Sequence, residues 1–373
     1  MKTELFSWQD GWDSETGMAD AELIIYFSAP QIIRAHDVSS ILRSRYPNAR
    51  QIGCSSGGEI YGAEVLDGSI SGVALSFEHA AFSIANAPLV ETEEYKIGIK
   101  LGSELRCDDL KLVFILSDGL NVNGSELVRG LSQVLPEGVL LTGGLAGDGP
   151  DFGETYVGVD EQPKARQVLA LGVSGSRLKC RSGNTGGWQV FGPPRQISRS
   201  KGSVLFELDG SPALDLYKKY LGSEADNFLS TALLYPIAIR APGQRDQDIV
   251  RTVIDIDEIN KSLIFAGDVP EGYSAQLMSA SFGQLATGAE MSAEQAIVGM
   301  NNTKPLALLV SGIGRKLLMR QMIADEVEAV KDVLPVGANI VGLYAYGEIA
   351  PHEFTGNCQL HNQTMTITTL WEE

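Results

Sequence analysis

Leu112-Val113-Phe114-Ile115-Leu116-Ser117-Asp118-Gly119 is an unbroken apolar run that ends in a serine. Five apolar residues without polar alternation predict a short strand buried on both faces. Two other stretches have the same form, Leu23-Ile24-Ile25-Tyr26-Phe27-Ser28-Ala29 and Leu306-Ala307-Leu308-Leu309-Val310-Ser311-Gly312. Each is followed by apolar residues at helical spacing: Val38, Ile41 and Leu42; then Leu127, Val128, Leu131, Val134 and Leu135; then Leu317, Leu318, Met322, Ile323, Val327 and Val330. Residues three or four apart make one buried stripe. Each helical segment gives way to a second strand and a glycine-rich loop, at Gln51 to Glu59, Val139 to Gly149 and Asn339 to Glu348. Strand, crossover helix, strand is the unit of parallel pairing, and it closes right-handed.

Between these units, Ser69 to Phe77 and Ile249 to Ile256 alternate while Gln167 to Val173 runs apolar, so the sheets are expected to be large and mixed. The fold class read from this pattern is α/β, in two domains with mixed β-sheets and repeated strand-helix-strand units. Ser211-Pro212 before the stripe Ala213 to Leu221, closed by Gly222, is a helix with start and stop signals. It marks the expected boundary: an N-terminal extension over 1–21, a first domain over 22–210 and a second over 211–373.

The 373 residues suffice for two domains and a sizeable core, and 44% hydrophobic with 20% charged residues describe a globular chain. A formal net charge of −18 repels phosphate backbones and anionic lipid, so neither nucleic acid nor membrane is an expected partner. No apolar run is long enough to span a bilayer, and the start Met1 to Asp10 lacks the pattern of a secretory signal. A cytoplasmic location is expected. The four cysteines, Cys54, Cys107, Cys180 and Cys358, show no C-x-x-C spacing and are read as reduced thiols rather than a disulfide framework or zinc site.

Two loops share one design. Gly53-Cys54-Ser55-Ser56-Gly57-Gly58-Glu59-Ile60 and Gly342-Leu343-Tyr344-Ala345-Tyr346-Gly347-Glu348-Ile349 both run from a strand through glycines to Gly-Glu-Ile. The first formally contains G-x-S-x-G around Ser55, but no helix follows to hold a nucleophilic serine. Cys54 is either a thiolate nucleophile or a small buried side chain closing a turn, the second being favoured. Thr142 to Gly149 has G-x-x-G spacing without the lysine or helix of a phosphate loop. Of the four histidines, His352 and His361 are nearest in sequence, and neither a strand nor a helix makes that spacing a chelating pair. His361-Asn362-Gln363 before an apparent strand either lines a pocket or satisfies buried backbone at a strand entry.

Ile52 to Ile60, Gly143 to Asp148, Asn184 to Trp188, Leu208 to Leu214, Tyr346 to Pro351 and Leu360 to Met365, taken in order, resemble the FIST proteins, bacterial signal-transduction sensory proteins with FIST N and FIST C domains. The resemblance implies a sensor, not an enzyme, that binds a small ligand such as an amino acid; with no kinase, cyclase or DNA-binding segment left over once the two domains are counted, it is expected to stand alone and to signal through a partner such as a histidine kinase or a cyclase. The resemblance also raises an alternative, a haem-based nitric oxide sensor acting on a histidine kinase or cyclic-dinucleotide enzyme, with His361 or His352 as ligand of the iron. No cofactor is expected in the first reading. Where many members have Ser-Cys before Gly-Arg, this chain has Ser311-Gly312-Ile313-Gly314-Arg315, which puts any role for that cysteine in doubt.

Ligands in open α/β sheets gather at the ends of strands, so the pocket is expected where the loops converge. The candidate ligand-binding residues are Cys54, Ser55, Ser56 and Glu59, then Gly144 and Asp148, then Tyr346 and Glu348, then His361, Asn362 and Gln363. Arg315 joins them either as a two-pronged partner for a ligand carboxylate or as a salt bridge to Glu348 or Glu59. Glu59 and Glu348 are expected at comparable positions.

Overall fold

The computed structural model describes residues 1–14, 16–222, 232–244, 248–300, 303–352 and 355–373. The three apolar runs are strands, Leu23–Ser28, Leu110–Ser117 and Leu306–Gly312, and the side chains of the first and last are buried throughout. Each lies parallel to the second strand of its unit, Arg50–Ser55, Leu140–Leu145 and Asn339–Ala345 respectively. Each is flanked on its other side by an antiparallel strand, Ile70–Ser76, Gln167–Ser174 or Met365–Glu372. The chain is thus α/β, with mixed sheets built on three copies of one unit.

The crossover helices follow their local signals. Asp37 caps Val38–Arg45 and Asn123 caps Gly124–Val134, each accepting from a backbone amide three residues on. In the third unit the stripe is broken. Arg320 takes φ +50°, which an α-helix cannot continue, so Ile313–Met319 stops and a second helix begins at Ile323 and runs to Val333. This turn brings Glu326 under Arg315.

The glycine that opens each loop has one role in all three units. A Cβ on Gly53, Gly143 or Gly342 would collide with the carbonyl oxygen of Tyr26, Ile115 or Leu309, the residue opposite on the first strand. Only glycine lets the two strands approach that closely.

The units are interleaved. After its second strand, each sends a short strand into the sheet of another: Glu59–Tyr61 pairs with Asn339–Ala345, Gly347–Pro351 with Leu140–Leu145, and Val157–Val159 with Arg50–Ser55. The exchange closes a ring. Its register is the same at every step, because Glu59 faces Leu343, Glu348 faces Gly144 and Val157 faces Cys54, each one residue after the opening glycine of the strand it joins. The strand entries match as well: Gly68, Arg166 and Gln363 have φ of 75°, 56° and 62°, and the next residue in each accepts at its carbonyl from Ala29, Asp118 or Gly312 at 2.9, 2.8 and 3.0 Å.

A further sheet lies between the second and third units in sequence. Its long strand Gln189–Lys201 pairs with Ser274–Ser279 along one part and with Val204–Leu208 along another, with register shifts that bend it. The alternating stretch from Ile249 to Ile256 is not one strand. Ile249–Arg251 and Val253–Asp257 lie at opposite ends of this sheet, and the chain turns at Thr252. Helix Ala213–Leu221, ending at Gly222 with φ +60°, packs its Leu214 and Tyr217 on the sheet.

Candidate functional site

A cavity of about 220 Å³ opens where the second unit, the third unit and the additional sheet meet. The third unit supplies Gly312-Ile313-Gly314, Tyr346, Glu348, Asn362 and Gln363, and the second supplies Gly119 and Leu120. Thr252, Phe265 and Gly267 of the additional sheet form the remaining wall. Arg251 fastens that wall in place: its fully buried guanidinium donates to the carbonyls of Leu360 at 3.0 Å and Asp268 at 2.9 Å. Burial lowers its pKa to about 10, so it keeps its charge.

Glu348 anchors the cavity. One carboxyl oxygen, Oε2, accepts from the amide of Thr364 at 2.8 Å and from its hydroxyl at 2.7 Å. The other, Oε1, is buried and has no hydrogen-bond partner among the described residues. Burial pushes the carboxyl up to about 8, against the pull of the Thr364 bonds and the Arg315 charge. Asn362 spends its amide nitrogen on the Tyr346 carbonyl at 3.4 Å, and Gln363 spends its own on the Leu233 carbonyl at 3.1 Å. Their carbonyl oxygens and the Thr252 hydroxyl are likewise buried without a partner among the described residues. Four residues that line the cavity therefore carry buried oxygens without a partner among the described residues, and a buried polar group left in that state costs about 1–3 kcal/mol.

Tyr346 closes one side. Its ring stacks on Phe152 with centroids 4.5 Å apart, and its hydroxyl donates to Asp148 while accepting from the Phe152 amide at 3.2 Å. Asp148 itself is held by the amides of Gly153 and Glu154, both at 2.8 Å. It faces a different space, a cleft of about 350 Å³ lined by Ser56, Glu59 and Lys316.

The candidate residues thus divide. Tyr346, Glu348, Asn362 and Gln363 share the cavity, whereas Ser56, Glu59 and Asp148 share the cleft. Cys54 is enclosed in its strand with its thiol pushed up by burial, and Ser55 accepts from the Tyr156 amide at 3.0 Å within the sheet. Gly144 lies opposite Glu348 in the ladder, where a Cβ would press on Val310.

Arg315 reaches neither space. Its partner is Glu326 at 2.7 Å, not Glu348 or Glu59, and both side chains are fully buried. Its other donors go to the carbonyls of Gly186, Leu285 and Gln363. With four hydrogen bonds and Glu326 as its counter-charge, the buried guanidinium is already committed within the fold. Arg315 instead fixes the backbone at Gln363, a positioning role that spacing alone does not reveal.

His361 points away from the cavity. Its Nε2 donates to the Ala350 carbonyl at 3.1 Å, its ring lies 6.1 Å from that of His352, and both line a separate pocket with Trp188 and Asp248. Burial lowers the His361 pKa to about 3, so the ring is neutral. Among the described residues, no group of three or more histidine, cysteine, aspartate or glutamate side chains is arranged to hold a metal ion. No described helix is long and apolar enough to cross a membrane.

Three interleaved α/β units, joined by a further sheet that walls a cavity lined by Glu348, Asn362 and Gln363, define the architecture. Family comparison gives the particular class: residues 22–211 match the FIST N domain and residues 213–351 the FIST C domain, and the chain belongs to the FIST family of signal-transduction sensory domains. A stretch of 227 residues is 23% identical to the uncharacterized protein MJ1623 of Methanocaldococcus jannaschii, covering 57% of this chain and 42% of that one. The chain thus spans less than half of the length of that relative. Among solved structures, a chorismatase aligns over 99% of this chain and 98% of its own at 10% identity and a TM-score of 0.36. A cyanuric acid hydrolase from A. caulinodans aligns over 79% and 99% at 9% identity and a TM-score of 0.21.

The strand exchange crosses the line between the two matched regions, since Glu59–Tyr61 belongs to the first by sequence and pairs with Asn339–Ala345 of the second.

Proposed function

We propose that the cavity at Glu348 is the sensory site and that it takes a small molecule through a protonated amine, an amino acid bound by its ammonium group being the reading we favour. The observation that carries this is that Glu348, Asn362 and Gln363 line one cavity and that each has a buried side-chain oxygen without a donor among the described residues. An ammonium group has three N–H donors and no acceptor, which complements such a set. A bound ammonium would also favour the ionised carboxylate that burial disfavours, so ligand and Glu348 would stabilise each other.

In this reading the protein binds its ligand without transforming it, uses no cofactor, acts in the cytoplasm and passes its signal to a partner such as a histidine kinase or cyclase. Phe152 and Tyr346, stacked at the cavity wall and tied to Asp148, are the elements through which occupancy would reach the neighbouring loops. Haem is the weaker alternative, because coordination through His361 Nε2 would first require its bond to Ala350 to break.

The test is a denaturation series against the amino acids and simple amines. A ligand at 100 times its dissociation constant adds about 2.7 kcal/mol to the unfolding free energy. Stabilisation by one member that disappears in Glu348→Gln is the expected result, and a flat panel with wild-type protein would overturn the reading.

A further inference from the structure

Glu59 occupies in the first unit the place that Glu348 occupies in the third. The two enter equivalent strands in the same register, opposite Leu343 and Gly144. Their local bonds also match: Glu59 Oε2 accepts from the amide of Ser69 at 3.0 Å and from its hydroxyl at 2.9 Å, as Glu348 does from Thr364. In both, the second carboxyl oxygen is buried and lacks a partner among the described residues.

The fold does not require a carboxylate there. In the second unit the equivalent position is Val157, buried and facing Cys54, and the strand pairs as it does in the other two. Burying an unpaired acceptor is unfavourable by about 1–3 kcal/mol, and a valine avoids that cost. The carboxylate at the other two positions therefore needs a reason outside folding. At Glu348 that reason is the cavity just described. At Glu59 it is the second cleft, about 350 Å³, into whose wall Glu59 is set with 0% exposure.

The charges around this cleft decide what it takes. Besides Glu59, its lining carries Asp67, Asp148 and Asp151 and one cation, Lys316. Lys316 is committed, donating to the Gly57 carbonyl at 2.9 Å and to the Asp67 carboxylate. Asp148 is satisfied by two amides and the Tyr346 hydroxyl. What remains is an acidic space with one unsatisfied oxygen at its wall, which suits a positively charged donor and repels anions.

We propose that the cleft between the first and third units is a second ligand site, in which Glu59 Oε1 accepts a hydrogen bond from the ammonium group of a small primary amine. The proposal stands whether or not the Glu348 cavity binds the same compound. Asp148 faces the cleft while its bond from Tyr346 reaches the Glu348 cavity, so the two sites share a wall.

Calorimetric titration with methylamine, n-butylamine and butane-1,4-diamine, with trimethylamine as the tertiary control, tests it in the full chain. In Glu348→Gln, at least one primary amine binds while trimethylamine binds at least tenfold more weakly. Adding Glu59→Gln to that variant weakens the primary amine at least tenfold; the isosteric amide keeps an acceptor for Ser69. Asp67→Arg, an exposed change at the cleft, does the same without touching the core and serves if Glu59→Gln does not fold. Amine binding in Glu348→Gln that is unchanged by Asp67→Arg or Glu59→Gln would overturn the second site, as would its complete absence. Loss of amine binding on Glu348→Gln alone would overturn the second site and leave the cavity reading standing. Loss on Glu59→Gln alone would do the reverse.

Discussion

Thr364 gives both its amide and its hydroxyl to a single oxygen of Glu348, at 2.8 and 2.7 Å, and leaves the other oxygen buried without a partner among the described residues. Thr364→Val keeps the shape and the amide bond and removes the hydroxyl. A lost hydrogen bond to a buried acceptor costs about 1–3 kcal/mol. The urea midpoint is expected to fall accordingly, and ligand stabilisation to fall with it because the carboxylate is no longer held in one rotamer. A variant that loses stability but keeps full ligand affinity would show that Thr364 does not orient Glu348.

Arg315 and Glu326 form a buried pair, with Ser311 and Tyr344 also donating to Glu326. Arg315→Met leaves Glu326 buried without its counter-charge, and breaking such a pair destabilises by about 3–5 kcal/mol. Replacing both, as Arg315→Met with Glu326→Gln, is expected to recover part of that loss. Thermal unfolding of the two variants checks the order; equal stability would deny the coupling.

Gly314 has the Gln363 amide against its Cα, so that a Cβ would overlap Nε2 and Oε1. Gly314→Ala should displace a flexible side-chain end rather than backbone, with a stability loss of about 1–3 kcal/mol. Its larger effect falls on the cavity, where one of three acceptors moves. Ligand affinity measured by the same denaturation series is expected to drop at least tenfold, and unchanged affinity would exclude Gln363 from the site.

The pH dependence has a definite sign. Burial raises Glu59 and Glu348 to about 8, from 4.5 in the unfolded chain. Between those values the folded state holds protons that the unfolded state has released, so stability falls as pH rises and levels off above about 8. Two groups act oppositely at lower pH. His361, held neutral by burial, costs stability progressively as pH falls from its unfolded value of 6.5 to about 3. Glu372 is also partly buried, but its pairing with the N-terminal ammonium and the amides of Glu78, His79 and Ala80 prevails and holds it at about 2, so it loses stability only in acid.

From pH 6.5 to about 7.5 the two glutamates therefore dominate, below the range in which the Met1 amine, raised from 8.0, despite its burial, by the Glu372 and Glu78 carboxylates, adds a decline of its own. Unfolding free energy without ligand is expected to decline there with a slope of up to about 1.4 kcal/mol per pH unit for each. Glu59→Gln with Glu348→Gln should flatten it. A flat wild-type profile would show that both carboxyls are already ionised in the fold.

The sequence by itself determined the repeating part of this protein. Leu23–Ser28, Leu110–Ser117 and Leu306–Gly312 were legible as strands because residues buried on both faces must be apolar throughout. The opening glycines were legible because strand-to-strand contact at Gly53, Gly143 and Gly342 excludes any side chain. The equivalence of Glu59 and Glu348 was visible in the shared Gly-Glu-Ile that follows each glycine-rich loop, and the two enter equivalent strands in the same register.

Tertiary structure decided what those frames enclose. Strand exchange pairs Glu59 with Leu343 across most of the chain, and no local pattern encodes a partner so distant. The turn at Arg320 delivers Glu326 to Arg315, which removes the arginine from any ligand. The wall at Thr252 and Phe265 comes from the additional sheet, whose strands carry ordinary alternating sequence. Local chemistry specified which residues are special, while long-range packing specified that they form two separate spaces rather than one.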